Sequence, residues 1–188
     1  EKGADGLIAV AAGAGGHAGT ISPFALIGEI RQWFDGPVAL SGSIATGRAI
    51  RAAEVMGADF AYIGSAFIAT EEANAPERYK QMIVDSAAAD IVYSNVFTGV
   101  HGNYLAPSIA ASGIDPAKLH EVEAVTMDFG KGREEKREKK AWRDIWGSGQ
   151  GIGAIDAVRP AADLVERLIA EYREAAAAPS RLALRAPA

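Results

Sequence analysis

Cysteine is missing from all 188 residues, which excludes a disulfide framework, a thiolate nucleophile and any Cys-ligated zinc or iron–sulfur site. The same absence fits a cytoplasmic protein. No apolar run approaches the roughly 20 residues that cross a bilayer, so no membrane-spanning role is expected. Positive charge is in short supply. Lys and Arg number 19 against 24 Asp and Glu, a formal net charge of −5, whereas a general nucleic-acid binder needs a basic surplus. No spacing of His, Asp and Glu resembles a metal site. The chain opens on Glu1-Lys2-Gly3, with neither an initiator Met nor a basic–apolar targeting segment. It runs almost at once into an apolar strand and so reads as starting mid-protein. What is present suffices for one compact water-soluble domain: 49% of residues are hydrophobic and 23% charged.

The first ninety residues alternate between two kinds of segment. Gly6–Val10, Pro37–Leu40 and Phe60–Ile63 are short and apolar nearly throughout, as parallel strands buried on both faces are. Between them lie helical patterns. Ser22-Pro23 is a cap followed by a first-turn proline. Phe24, Ile27, Ile30 and Phe34 then recur at helical spacing until Asp35-Gly36-Pro37 stops the helix. A second helix is expected from about Thr46 to Met56 with Gly57 as its stop, and a third after Pro76. Strand, loop and helix repeated in this order imply a parallel sheet with right-handed crossovers. Gly3-Ala4-Asp5 and Gly57-Ala58-Asp59 echo each other just before a strand.

The alternation ends near Asp90. Residues 94–116 are rich in Gly, Ser, Asn and Pro and read as loop with one short helix. Lys131 to Lys140 carries mixed charge that suits a solvated helix face. Trp142 and Trp146 are spaced to share a helical face. After the glycine-rich Gly147–Gly153, a closing helix should follow Pro160, with Leu164, Val165, Leu168, Ile169 and Tyr172 on one side. Ala175–Ala188 reads as a frayed tail.

Chemistry concentrates in the loops that follow the strands. Gly13-Ala14-Gly15-Gly16-His17-Ala18-Gly19 leaves the first strand. Its glycines let a backbone approach a ligand closely and aim N–H groups at anionic oxygens. His17 brings a ring that titrates near neutrality, able to act as acid, base or cation. Ser41–Gly47 and Gly64-Ser65-Ala66-Phe67 leave the second and third strands, and successive Gly/Ser loops of this kind hold phosphate in barrel enzymes. Gly13, Gly15 and Ala18 also fit G-x-G-x-x-A. The next helix, however, begins only at Ser22-Pro23 and no acidic residue ends a second strand, so a dinucleotide fingerprint is rejected. His120 reads as structural or solvent-exposed. His101 sits in a loop placed to cap a site, but a substrate-facing role for it is the less favoured reading. Asp5 and Asp59, ahead of strands, fall at the stability end of a barrel. Glu71 and Glu72 favour a helix N-terminus through its dipole.

At these motifs the sequence resembles the nitronate monooxygenase family, formerly called 2-nitropropane dioxygenases. The resemblance is carried by Gly3-Ala4-Asp5-Gly6, Ala14-Gly15-Gly16-His17-Ala18-Gly19, Ser22-Pro23 and Ser41-Gly42-Ser43-Ile44. It continues through Ile63-Gly64-Ser65-Ala66-Phe67-Ile68-Ala69-Thr70-Glu71-Glu72 and Trp146-Gly147-Ser148-Gly149-Gln150-Gly151. It implies an α/β fold, an FMN-binding (β/α)8 TIM barrel, of which this chain supplies about the last three βα units. Residues 1–85 would be the C-terminal half of that barrel. Residues 86–146 would form a small helical subdomain over the active site, residues 147–174 a return loop and closing helix, and residues 175–188 a flexible tail.

Carried over residue by residue, His17 becomes the catalytic group beside the flavin. Gly15, Gly16, Gly42, Gly64 and Ser65 become FMN contacts, the last two at the phosphate; no metal is implied. The Glu and Gln that some members carry earlier in the His loop are Ala or Val here. The implied reaction oxidises an alkyl nitronate or nitroalkane with molecular oxygen to a carbonyl compound and nitrite. An FMN-dependent enoyl-thioester reductase or NADH:quinone reductase shares the same loops, and a non-catalytic flavin- or phosphate-binding subunit is a third reading. A whole barrel takes about 250 residues, so the first half must come from an unseen N-terminal portion or from another polypeptide. Alone, this half exposes two sheet edges and should aggregate or dimerise.

Overall fold

The computed structural model describes residues 3–121 and 144–178. The Lys131–Lys140 charge run, Trp142 and most of the expected tail lie outside them, as does the side chain of His120. In chain order the elements are β1 (Leu7–Val10), β2 (Gly16–His17), α1 (Pro23–Ile30), β3 (Val38–Ser41), α2 (Gly47–Met56) and β4 (Phe60–Tyr62). They continue with α3 (Ser65–Ile68), α4 (Glu77–Val84), β5 (Ile91–Ser94), β6 (Gly102–Leu105), α5 (Ala106–Ala111) and the closing helix Ala161–Ala177. No described helix is long and apolar enough to cross a membrane.

β1, β3 and β4 form a parallel sheet in that order, with Ile8 opposite Ala39 and Ala39 opposite Phe60. The intervening helices cover one face. There Val38, Leu40 and Ala9 pack with Ile27 and Ile30 of α1 and Ala53 of α2. Fully burying side chains such as Ile27, Val38 and Leu40 contributes about 1.5–3 kcal/mol each. α2 begins at a Thr46 cap whose hydroxyl accepts from the Ala49 N–H at 3.1 Å. It ends at Gly57 with φ +107°, a left-handed turn that favours glycine. A second cluster, with Ile83, Leu105, Ile152, Leu164 and Leu168, lies under the closing helix. Both carboxylate oxygens of Glu72 accept from the N–H of Ala161, the first residue of that helix. This is the dipole role expected of Glu72, exerted on a helix far along the chain.

The second face of the parallel sheet is bare. Ile8 is 61% exposed, Val10 41%, Phe60 63% and Tyr62 55%, and the register places them in two rows across the strands. Apolar runs imply burial on both faces; these residues bury one. In a complete barrel this face looks inward, and three strands cannot enclose it. Two helices also differ from expectation. α1 ends at Ile30 instead of running to Phe34, and Phe24 is exposed. In the closing helix Leu164 and Leu168 are buried while Val165 and Ile169 remain exposed.

Residues 94–116 contain more order than a loop with one helix. β5 and β6 pair antiparallel, β6 also pairs with β2, and α5 follows directly. β5 and β6 are neighbours in a hairpin, but the pairing of β6 with β2 joins Asn103 to Gly16, far back along the chain, so part of the order of Gly-Asn-Tyr-Leu comes from tertiary contact.

At the N-terminal ends of the parallel strands, Arg31 gathers the connecting turns. Its guanidinium donates to the carbonyls of Gly57 at 2.8 Å and Gly36 at 2.7 Å, and to Asp59 Oδ2 at 2.7 Å. Asp59 Oδ2 also accepts from the Val38 N–H at 2.8 Å. The Val38 hydrogen bond, then the Arg31 hydrogen bond, hold the Asp59 carboxyl below its ordinary 3.8. A depressed carboxyl stabilises the fold above its unfolded value, and that stability is lost as pH falls through the folded value. Thermal melts of Asp59→Asn should therefore lie below wild type at neutral pH and converge with it in acid. Parallel curves across that range would remove Asp59 from the stability end of the sheet.

Candidate active site

All three glycine-bearing loops open at the C-terminal ends of the parallel strands, opposite the Arg31–Asp59 cluster. They line one cavity of about 450 Å³, within the roughly 300–1,000 Å³ common for small-molecule sites. His17, Gly15, Gly16, Gly42, Gly64 and Ser65, six residues spread over fifty positions, all reach it. His101 does not. Its ring stacks on that of Tyr93 in β5, centroids 5.0 Å apart.

The cavity has two kinds of wall. One is the rim of Gly13–Gly16, Ser41–Ser43 and Gly64-Ser65. The other is apolar and aromatic: Ile68, Tyr79, Tyr104, Ile145 and Trp146. Tyr79 and Trp146 stack at 4.8 Å with 18° between their planes, and the Tyr79 hydroxyl donates to the Gly147 carbonyl. Burial pushes the Tyr79 phenol up to about 12, so it stays a neutral donor at any working pH.

The segment 146–151 ties the rim together. Gln150 N–H donates to Gly13 O at 2.9 Å and Ser43 N–H to the same oxygen at 3.2 Å. Gly149 N–H donates to Ser65 Oγ at 2.9 Å. The approach leaves no room for a side chain: a Cβ on Gly149 would sit 2.7 Å from Gly13 O, and one on Gly15 2.8 Å from Gly149 N. Glycine is thus required at 15 and 149 by packing. At Gly16 and Gly64 the reverse holds, since a Cβ there would meet nothing within 4 Å.

The rim suits an anion. Ser65 Oγ accepts from Gly149, which leaves its own proton to donate outward. Among the described residues nothing accepts from the main-chain N–H of Gly64 or Ser65. The N-terminus of α2 is already engaged, because Gly47 N–H donates to Glu171 Oε2 at 2.7 Å. Anion contacts therefore fall to the loops. Among the described residues, no three His, Asp or Glu side chains gather as a metal would need.

Sequence reasoning did not single out Ser43, Tyr79 or Tyr104, and gave Trp146 no role in the cavity. Ser43 is the one described non-glycine residue at positive φ, +57°, a conformation that costs of order 1–3 kcal/mol and collects at functional sites. No local pattern marks Tyr79, which reaches the cavity from α4 by tertiary packing alone.

A parallel sheet whose strand-end loops build a Gly/Ser rim beside a histidine and an aromatic wall defines the ligand-binding half of a (β/α) barrel. The nitronate monooxygenase family profile matches residues 1–171, and the chain belongs to that family. A nitronate monooxygenase of Paraburkholderia phytofirmans is 28% identical over 184 residues, 92% of this chain and 50% of that protein. Among solved structures, FabK from Thermotoga maritima superposes with a TM-score of 0.74 at 26% identity, over 93% of this chain and 56% of the other. Nitroalkane oxidase from Streptomyces ansochromogenes superposes at 0.67 and 29% identity, over 92% and 53%. The chain thus spans about half the length of these relatives, and the structural neighbours confirm the partial TIM barrel expected from its motifs.

Proposed function

We propose that the chain forms the flavin-binding half of an FMN-dependent oxidoreductase that oxidises alkyl nitronates with molecular oxygen to a carbonyl compound and nitrite. The observation that carries this reading is the convergence of His17 and the Gly/Ser rim on one cavity with an aromatic wall. FMN joins a phosphate to a planar ring system, and the cavity offers a partner for each. The unfilled space over Gly16 and Gly64 is room that any Cβ would take from a ligand. Gly64 and Ser65 would hold the phosphate, with Gly15, Gly16 and Gly42 along the remainder of the cofactor. FMN, when bound, supplies the electron acceptance and the reaction with oxygen.

The work left to His17 is electrostatic and protolytic. As imidazolium it attracts the anionic nitronate and steadies negative charge that develops beside it. As neutral imidazole it takes the α-proton of an uncharged nitroalkane. Tyr79 holds the return segment through Gly147, and Ile145 and Trp146 exclude water from the apolar side. The bare sheet face receives the remaining βα units, from an N-terminal portion or a separate polypeptide, and burial of Ile8, Val10, Phe60 and Tyr62 drives that closure. Left uncovered, the same face and edges favour self-association to a homodimer.

The test is turnover by the complete barrel reconstituted with FMN, in air. Nitrite release and oxygen uptake with an alkyl nitronate are expected. Rapid NADH oxidation without nitrite would instead identify an enoyl-thioester or quinone reductase, and no turnover of either kind a flavin-binding subunit.

A further inference from the structure

The β5–β6 hairpin grips the loop on both sides of His17, and nothing in the proposed chemistry yet uses it. Gly16 pairs with Asn103 and His17 with Gly102. Ala18, the next residue, is held twice: its N–H donates to His101 O at 3.2 Å, and its carbonyl accepts from the Tyr93 hydroxyl at 3.0 Å. On the other side, Asn103 is 2% exposed and its Nδ2 donates to Ala14 O at 2.7 Å. A carbonyl can only be met by the NH₂ end of the amide, so this orientation follows from the partner. The main-chain oxygen of Asn103 also accepts from Ser148 N–H at 3.2 Å. One buried residue therefore links the His loop to the return segment that ties the Gly/Ser rim.

We propose that Asn103, seconded by Tyr93, is a positioning residue that sets the direction of the His17 imidazole from the hairpin. This deepens the reading of His17 as the catalytic group and rests on it for the kinetic effect alone. The hairpin meets the loop through hydrogen bonds to main-chain atoms of Ala14 and Ala18 and through its strand pairing with Gly16 and His17, contacts that all bear on the backbone of the loop. Gly16 in the middle of that loop has φ +69° and no side chain of its own to fix its path. External anchors must do so.

Asn103→Asp keeps the shape and reverses the polarity. A carboxylate oxygen then faces the Ala14 carbonyl, acceptor against acceptor, and protonation restores a donor. The titratable groups around the position are His17 on the paired strand, His101 and Tyr93 on the hairpin, and Tyr104 beside it. In the FMN-loaded complete protein at neutral pH, kcat on nitronate should fall about tenfold to 100-fold, the scale of a small misplacement of a reacting group. Nitronate KM and FMN affinity should change by less than about threefold, since the residue touches neither ligand. The ratio of variant to wild-type kcat should climb as pH is lowered through the new carboxyl, whose burial raises it above the ordinary value near 3.9. Asn103→Ala should show the loss without the recovery.

The His17 ring resonances give a readout that needs no turnover. In Asn103→Asp they should differ from those of wild type at neutral pH and coincide with them again in acid, each compared at the same pH. Unchanged resonances with wild-type kcat overturn the proposal. So does a joint fall of kcat, substrate affinity and FMN affinity without acid recovery, the mark of a merely structural role. Should Asn103→Asp not fold at neutral pH, Tyr93→Phe removes only the hydroxyl on Ala18, and unmoved His17 resonances there overturn it equally. If the resonances respond while His17→Asn keeps full activity, the positioning stands and the catalytic reading of His17 falls.

Discussion

His17→Asn is expected to lower turnover of nitroalkanes by about 10²- to 10⁴-fold, the range spanned by a positioned acid or base, while the protein stays yellow with bound FMN. Asn keeps a polar side chain of similar reach. It also leaves untouched the main-chain pairing of this position with Gly102, so the loop should hold its course. What disappears is the imidazole ring, the only part of the side chain able to take or give a proton. Two substrates separate its roles. A nitroalkane must lose its α-proton, whereas a pre-formed nitronate arrives as the anion. Loss confined to the nitroalkane assigns His17 to proton abstraction, and equal loss on both assigns it to charge stabilisation. Oxygen uptake and nitrite release measure the rates, and flavin absorbance reports the cofactor. A variant with full activity on both substrates removes His17 from the chemistry.

Gly64→Ala is expected to separate folding from cofactor binding. The backbone at Gly64 has φ −110°, open to any residue, and no protein atom lies within 4 Å of the added Cβ. Stability should therefore stay within about 0.5 kcal/mol of wild type. The methyl group enters cavity space that the proposed phosphate contact needs. Overpacking of about 1–3 kcal/mol corresponds to FMN binding weaker by roughly tenfold to 100-fold. Gly149→Ala is the contrasting case. Its Cβ would lie 2.7 Å from Gly13 O and 3.1 Å from Gly15 N, so it should lower the melting temperature even without cofactor. Thermal melts and fluorescence titration with FMN measure the two effects. Wild-type FMN affinity in Gly64→Ala would move the phosphate away from the Gly64-Ser65 turn.

Elements written in local chemistry were legible. α2 starts at Thr46 and stops at Gly57 as its capping residues require, and α4 and the closing helix follow Pro76 and Pro160. α1 was legible at its start and not at its end. Arg31 leaves the helix to collect the carbonyls of Phe34, Gly36 and Gly57, and no periodicity foretells an arginine spent on three turns. The hairpin was missed because its strands are four residues each and one of them is Gly-Asn-Tyr-Leu. Its second role, pairing with Gly16–His17, joins positions more than eighty residues apart.

The sequence by itself determined the order of the three parallel strands and the helices between them, the glycine-bearing loops after each of those strands, and the family to which those loops belong. All of these follow from residues within a few positions of one another. Tertiary structure alone decided which face of the sheet is bare, which aromatic side chains wall the cavity and what holds the His17 loop in place. Those outcomes rest on contacts between distant segments: Tyr79 with Gly147, Asn103 with Ala14, Gly149 with Ser65. A hydrogen bond across such a distance forms only once the intervening chain has packed, and its partners carry no mark of one another beforehand.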